Sequence, residues 1–305
     1  MTVRGPVDAG SLGLLLPHEH VMSTFGLPAA PVPAYDETRL LTVAVAYLRY
    51  LGGLGCDAIA DCTTAYFGRA PSLLSRISEA SGVHILTNTG YYAAADDRYV
   101  PEHAFKESAA EIAARWVAEW RDGIDGTGIR PGFIKTAVDA GPLSDIDRKL
   151  VRAAILTHLE TGLTVQTHVG DNPAVVEEIL GMLEDEGAAP EAWIWVHAHA
   201  VGDAAALRRA AEAGAWISLD GLGRTTAAHI LGLLQALREW GLLGHALVSH
   251  DGEAFDPSGG SRQFHELLTS FIPLMKRSGF SRGEIEQVTV RNPARAFTPG
   301  VRARR

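Results

Sequence analysis

Residues able to bind a metal or move a proton recur where short apolar runs end. Leu14-Leu15-Leu16-Pro17 leads into His18-Glu19-His20, Phe133-Ile134 into Lys135, and Val165-Gln166-Thr167 into His168. Trp195-Val196 leads into His197, and Val248-Ser249-His250 into Asp251. In extended chain, residues two apart point to the same side, so His18 and His20 can face one interior together. Imidazole and carboxylate suit zinc and similar divalent ions. Three or four imidazoles and a carboxylate at one mouth can hold such an ion with a position open for water. The pKa of that water falls to about 7, which supplies a hydroxide nucleophile at neutral pH. Any one of these residues alone reads as an ordinary solvated strand end. The five together, with a His-x-His pair, do not. Lys135 is the odd member, because an ammonium cannot ligate a cation. Either it points elsewhere, or carbon dioxide carbamylates it to an anionic bridging carboxylate, and spacing does not decide between the two.

The elements that must position these groups alternate along the chain. Short apolar runs predict strands over 14–16, 58–62, 83–88, 132–135, 163–168, 193–197, 215–220 and 246–251. Between them, helical periodicity predicts helices over 38–51, 72–81, 103–121, 145–161, 173–186, 203–212, 225–240 and 264–277. Leu150, Val151, Ala154, Ile155 and His158 show the three-to-four spacing of one buried face. Ser281 with Glu284 has capping-box spacing, and Asn292-Pro293 reads as the N-cap and first turn of a last helix. Eight apolar strands, each followed by a helix, imply a parallel sheet covered on both faces. The fold class is therefore α/β, a single-domain (β/α)8 TIM barrel over residues 1–305 with its core from about 5 to 297. A doubly wound open sheet is the alternative. In such a barrel the active site lies at the C-terminal ends of the strands, where the quoted residues fall.

Composition narrows the partners. A net charge of −9 argues against nucleic acid, and the basic run Arg302–Arg305 is too short to change that. No run of about 18 apolar residues predicts a membrane span, and the first residues carry no secretion signal. With only Cys56 and Cys62, no disulfide framework is implied, and a reduced, cytoplasmic setting is expected. Of the twelve histidines, His84, His103, His158, His229, His245 and His265 read as surface or packing residues. His250 should point to the opposite side of its strand from Asp251.

The motifs Leu16-Pro17-His18-Glu19-His20-Val21, Phe133-Ile134-Lys135-Thr136, Gln166-Thr167-His168 and Val248-Ser249-His250-Asp251 resemble the phosphotriesterase family of the amidohydrolase superfamily. The resemblance runs from about Gly5 to Phe297. It implies two divalent metal ions, zinc first and manganese, cobalt or iron as alternatives. His18, His20 and Asp251 would hold the more buried ion, and His168 and His197 the more exposed one. A carbamylated Lys135 and a hydroxide would bridge ions about 3.5–4 Å apart, with Asp251 as general base. His197 and His199 lie on the same face in extended chain, so either could be the ligand; His197 is favoured because it directly ends its apolar run, which leaves His199 to support a ligand or to sit in the loop. Asp220 would orient a ligand imidazole, Tyr92 would form a pocket wall, and Arg224 would meet an anionic or carbonyl oxygen. The segment 252–260 is short and rich in Gly, Asp and Ser, which argues against a long hydrophobic acyl channel. The expected reaction is hydrolysis of an ester-like bond in a small molecule. Lactones or carboxylic esters rank first, phosphotriesters next as a side activity, and amides third. The competing class is a non-catalytic small-molecule-binding barrel that retains a metal. Dimers are common in the family the chain resembles, so a homodimer is compatible with it.

Overall fold

Residues 1–304 are described by the computed structural model. Its strands are β1 (Leu15–Met22), β2 (Ala58–Asp61), β3 (His84–Leu86), β4 (Asn88–Thr89), β5 (Phe133–Ala137), β6 (Val165–His168), β7 (Trp193–Val196), β8 (Trp216–Leu219), β9 (Ala246–Val248) and β10 (Glu253–Phe255). All neighbours pair in parallel, in the orders β10-β1-β2-β3 and β4-β5-β6-β7-β8-β9. Two seams join these ladders into a ring. β3 and β4 are one run interrupted at Thr87, whose carbonyl accepts the Gly132 N–H at 2.8 Å. On the other side, Asp251 N–H donates to the His18 carbonyl at 3.2 Å. The eight-stranded barrel is thus borne out, and the open sheet is not. Nearly every strand residue is buried, as a parallel sheet roofed by helices requires.

β1 is longer than its apolar run. Pro17 has no N–H to donate, and the pairing with β2 slips between Leu16 and Glu19. Beyond this bulge the strand continues through His18, Glu19 and His20, so the His-x-His pair lies inside a buried strand rather than past its end.

Helices Glu37–Gly53, Pro71–Ser81, Asp145–Thr161, Pro173–Asp185, Ala204–Ala213 and Ala227–Glu239 fall close to expectation. Side chains of Asp36, Ser144, Asn172, Asp203 and Thr226 accept first-turn N–H groups, which fixes where five of them begin. Three expectations need correction. The helix over 103–121 is broken into Glu102–Lys106 and Ala109–Asp122, because Ser108 and Glu111 form a capping box inside the stretch. The helix over 264–277 begins as a π turn, Leu267–Phe271, before Ile272–Arg277. A second π turn, Gln287–Arg291, precedes Pro293. Each wide turn ends just ahead of a proline, which can neither donate to nor pack against a normal preceding turn. The third is Asn292, which is not an N-cap. It is helical itself, and its amide donates to the carbonyls of Leu243 and Ala246 at 2.8 Å each, tying the last helix to β9. The Ser281–Glu284 capping box forms as expected. No helix among the described residues is long and apolar enough to cross a membrane.

Candidate metal centre

One buried carboxylate sets the seam from outside. Glu19 projects away from the barrel mouth, where Oε1 accepts Ser249 Oγ at 2.6 Å and His250 Nδ1 at 2.7 Å, and Oε2 accepts Gly252 N–H at 2.7 Å. His250 also accepts the Leu267 N–H on Nε2 at 3.0 Å, so it points away from the cavity as expected. With both its neighbours held, Asp251 (φ 53°) turns into the mouth. Its Oδ1 lies 3.4 Å from His18 Nε2 and 3.3 Å from His20 Nε2.

Hydrogen bonds also fix which imidazole nitrogens face inward. The Thr63 hydroxyl donates to the Met22 carbonyl at 2.7 Å, so toward His20 Nδ1 at 2.8 Å it can only accept. Nδ1 therefore carries the proton, and the Nε2 lone pair is free toward the cavity. Burial pushes the His20 pKa down to about 4, which keeps the ring neutral. Asp220 does the same for His197, accepting Nδ1–H at 2.9 Å and the backbone N–H at 3.1 Å. Its second oxygen accepts Ser218 Oγ at 2.8 Å and lies 2.9 Å from His18 Nδ1.

The two histidines of the His197–His199 pair do not share a face. β7 stops at Val196, His197 takes a left-handed conformation (φ 63°), and residues 198–200 form a 3-10 turn. The alternation expected of extended chain therefore does not apply. His197 packs against His168 at 4.4 Å between ring centroids and against His18 at 5.1 Å. His199 is not a cavity-lining residue; its Nδ1 lies 3.1 Å from Asp220. Gly221 makes room for it, since a Cβ there would sit 2.4 Å from the His199 ring.

Lys135 lies on β5 with 1% of its surface exposed. Its Nζ donates to the Thr136 carbonyl at 3.2 Å and has no ion pair among the described residues. Burial lowers its pKa. His18, His20, Lys135, His168, His197 and Asp251 all line one cavity of about 180 Å³. Tyr92 and Arg224 line it too: Tyr92 lies 3.4 Å from His168 Nδ1 and stacks on Phe67, and Arg224 Nη1 is 2.7 Å from Asp251 Oδ2. Sequence reasoning missed five residues: Ser23, Phe25, Phe67 and Arg262, which also line the cavity, and Glu19 behind it. Only Glu19 carried a signal, being an acid between two histidines in an apolar strand. The inward lone pairs, the carboxylate and a buried amine without a counter-ion make a donor set that fits divalent cations.

A phosphotriesterase-family model matches residues 1–297. The chain belongs to the phosphotriesterase family. It is 27% identical to the phosphotriesterase homology protein of Escherichia coli, over 80% of this chain and 84% of that one. It is also 27% identical to an N-acetyltaurine hydrolase of Tetraodon nigroviridis, over 97% of each. A mutant of the PTE-like lactonase from Deinococcus radiodurans superposes with a TM-score of 0.87 at 29% identity, over 98% of this chain and 99% of that one. This member of the phosphotriesterase family is thus similar in sequence and in fold, along nearly its whole length, to proteins named as hydrolases.

Beside the cavity, Asp61 is a buried carboxyl whose Oδ1 accepts the Val21 N–H at 2.7 Å and whose Oδ2 has no partner. Burial pushes its pKa up to about 8. The folded protein therefore holds this proton more tightly than the unfolded chain. The resulting stability is fully present below the unfolded pKa of 3.8 and is lost as pH rises toward 8. Asp61→Asn cannot ionise. In metal-free protein, the stability advantage of the wild type over this variant should fall by about 2 kcal/mol or more between pH 5 and pH 8. Urea unfolding at the two pH values measures this, and parallel pH profiles would refute a neutral Asp61.

Proposed function

We propose that the chain is a metal-dependent hydrolase of an ester-like bond in a small molecule, with lactones or carboxylic esters as first choice and phosphotriesters as a side activity. The observation that carries this reading is the convergence of six residues from five strands and strand ends on one small cavity. His18, His20 and Asp251 would hold one divalent ion, His168 and His197 the other, and a carbamylated Lys135 would bridge them. Zinc suits this set best. When bound, such a pair acidifies water and polarises the bond to be cleaved.

The chain's own groups supply the rest. Asp251 takes the proton of the attacking water on its carboxylate, which burial alone would push up but which the adjacent His18 ring holds well below the usual carboxylate range. Asp220 holds His197 in the tautomer that presents Nε2. Phe67 and Tyr92, stacked 4.8 Å apart, form an apolar wall that limits water on one side. A cavity of about 180 Å³ fits a small ring or short acyl group, in keeping with the short segment after Asp251.

Asp220→Asn should weaken metal binding by roughly 10–100-fold. An amide aimed at His197 Nδ1 favours the wrong tautomer. Competition with a chromogenic chelator reads the change, and an unaltered affinity would remove Asp220 from this role.

A second reading, amide hydrolysis, is favoured by the N-acetyltaurine hydrolase among the relatives. The deciding experiment is proton release by the metal-loaded protein across lactones, carboxylic esters, phosphotriesters and N-acyl amides, with Asp251→Asn as control. Turnover of the first two classes, lost in the variant, is the expected result. Turnover of amides alone moves the assignment to the second reading. Silence throughout, with two metals bound, leaves a non-catalytic binding barrel.

A further inference from the structure

Two arginines, Arg224 and Arg262, line the cavity from different parts of its rim. Arg224 stands in the turn after β8, where its N–H donates to the Gly221 carbonyl at 3.0 Å and Leu222 pairs with Thr225. Arg262 lies across from β10, exchanging two backbone hydrogen bonds with Glu253 at 2.7 and 2.9 Å. Both backbones are pinned, while the side chains are 46% and 41% exposed. They are positioned, yet open to a ligand.

Neither group is saturated by the protein. A guanidinium carries five N–H donors. Arg224 reaches Asp251 Oδ2 at 2.7 Å, and Arg262 lies 3.5 Å from Glu253 Oε2. Glu253 also accepts from Ser23 Oγ on its other oxygen. Among the described residues that line the cavity, Asp251 is the only carboxylate, and both arginines and Lys135 are there with it. Even with Lys135 converted to a carbamate, two anions would face two guanidiniums before any metal charge is counted. Phe25, Phe67 and Tyr92 supply an apolar wall in the same cavity. Such a site can hold a short apolar stem with an anionic end.

We propose that Arg224 and Arg262 together bind an anionic oxyacid head group (carboxylate, sulfonate or phosphate) of a small acyl substrate whose scissile bond lies at the metal centre. The inference rests on the hydrolase reading and narrows its substrate class. The head group takes no part in bond making: water adds across the acyl bond, the acyl carbon keeps the oxygen, the leaving group takes a proton, and the anion stays in the product. Charge-assisted, forked hydrogen bonds from arginine give both affinity and orientation. A site built around them rejects a neutral isostere because its donors are left unpaired.

The test is calorimetric titration of the metal-loaded protein with butyrate, propane-1-sulfonate, propyl phosphate and neutral butyramide. At least one anion should bind about 10–100-fold more tightly than butyramide. Direct binding of an anion to metal would not need the arginines, so the variants decide. Arg262→Met should lose about tenfold of that preference at unchanged metal content. Arg262→Lys should retain part of it, and Arg224→Met with Arg262→Met should abolish it. The tightest of the three anions names the head group. Equal binding of anions and butyramide, or anion binding untouched in the double variant, overturns the proposal. Turnover of neutral lactones with no anion preference would overturn it while the hydrolase reading stands. Arginine-dependent anion binding in a protein that hydrolyses nothing would overturn the hydrolase reading and leave the anion site.

Discussion

Asp251→Asn is expected to lower kcat/KM by on the order of 10²–10⁴-fold, the range a general base contributes, without unfolding the barrel. Asparagine tolerates the left-handed backbone that Asp251 adopts at φ 53°, so the turn into the mouth should survive. Neither Ser249 nor Gly252 depends on the Asp251 side chain, since Glu19 holds both. What is lost is the anionic oxygen facing His18, His20 and Arg224. An amide cannot take a proton from water, and it places N–H against Arg224 or the imidazoles. Turnover, metal content and a melting curve on the same preparation separate the effects. Near-normal turnover in a folded, metal-loaded variant would end the assignment of Asp251 as base.

Lys135→Ala should abolish activity and weaken metal binding by more than about 100-fold, beyond what loss of a supporting partner costs. Short-chain carboxylates such as propionate should restore part of both. A lysine that is 1% exposed and bonds only to the adjacent Thr136 carbonyl is an expensive residue to keep as an ammonium. Burial favours its neutral amine, the form that attacks carbon dioxide. Attack forms an N–C bond, releases the amine proton and leaves an anion with two oxygens. Removing the side chain opens a space that a small carboxylate can fill with equivalent oxygens. Full metal binding by the alanine variant without added carboxylate would show that Lys135 holds no bridging role.

What was legible in the sequence was whatever obeyed a period or ended one. The eight strands, the alternating helices, and the six groups at or near strand C-termini follow from apolar runs and their endings. Less legible was anything set by a departure from regular backbone. Where His197 and His199 point turned on a left-handed residue that no alternation rule contains. β1 runs on past the irregularity at Pro17, and Ser108 split a helix that its periodicity joined. The π turns before Pro273 and Pro293 likewise absorb a local conflict. Phe25, Phe67 and Arg262 were invisible for a different reason. They stand in irregular segments whose path is decided by what they pack on, not by their own spacing.

The seam held by Glu19 also constrains when the site can exist. Glu19 and Gly252 are separated by 233 positions, so this contact joins nearly the two ends of the chain. A chain made from its N-terminus exposes His18 and His20 early and waits through most of synthesis for the carboxylate that completes their group. No amino-terminal fragment, however well its first strands and helices pack, contains a finished centre. Closing so long a loop is the slow, entropically costly event in a barrel of this topology. If the centre takes metal as proposed, tight binding would therefore require that the ring has closed.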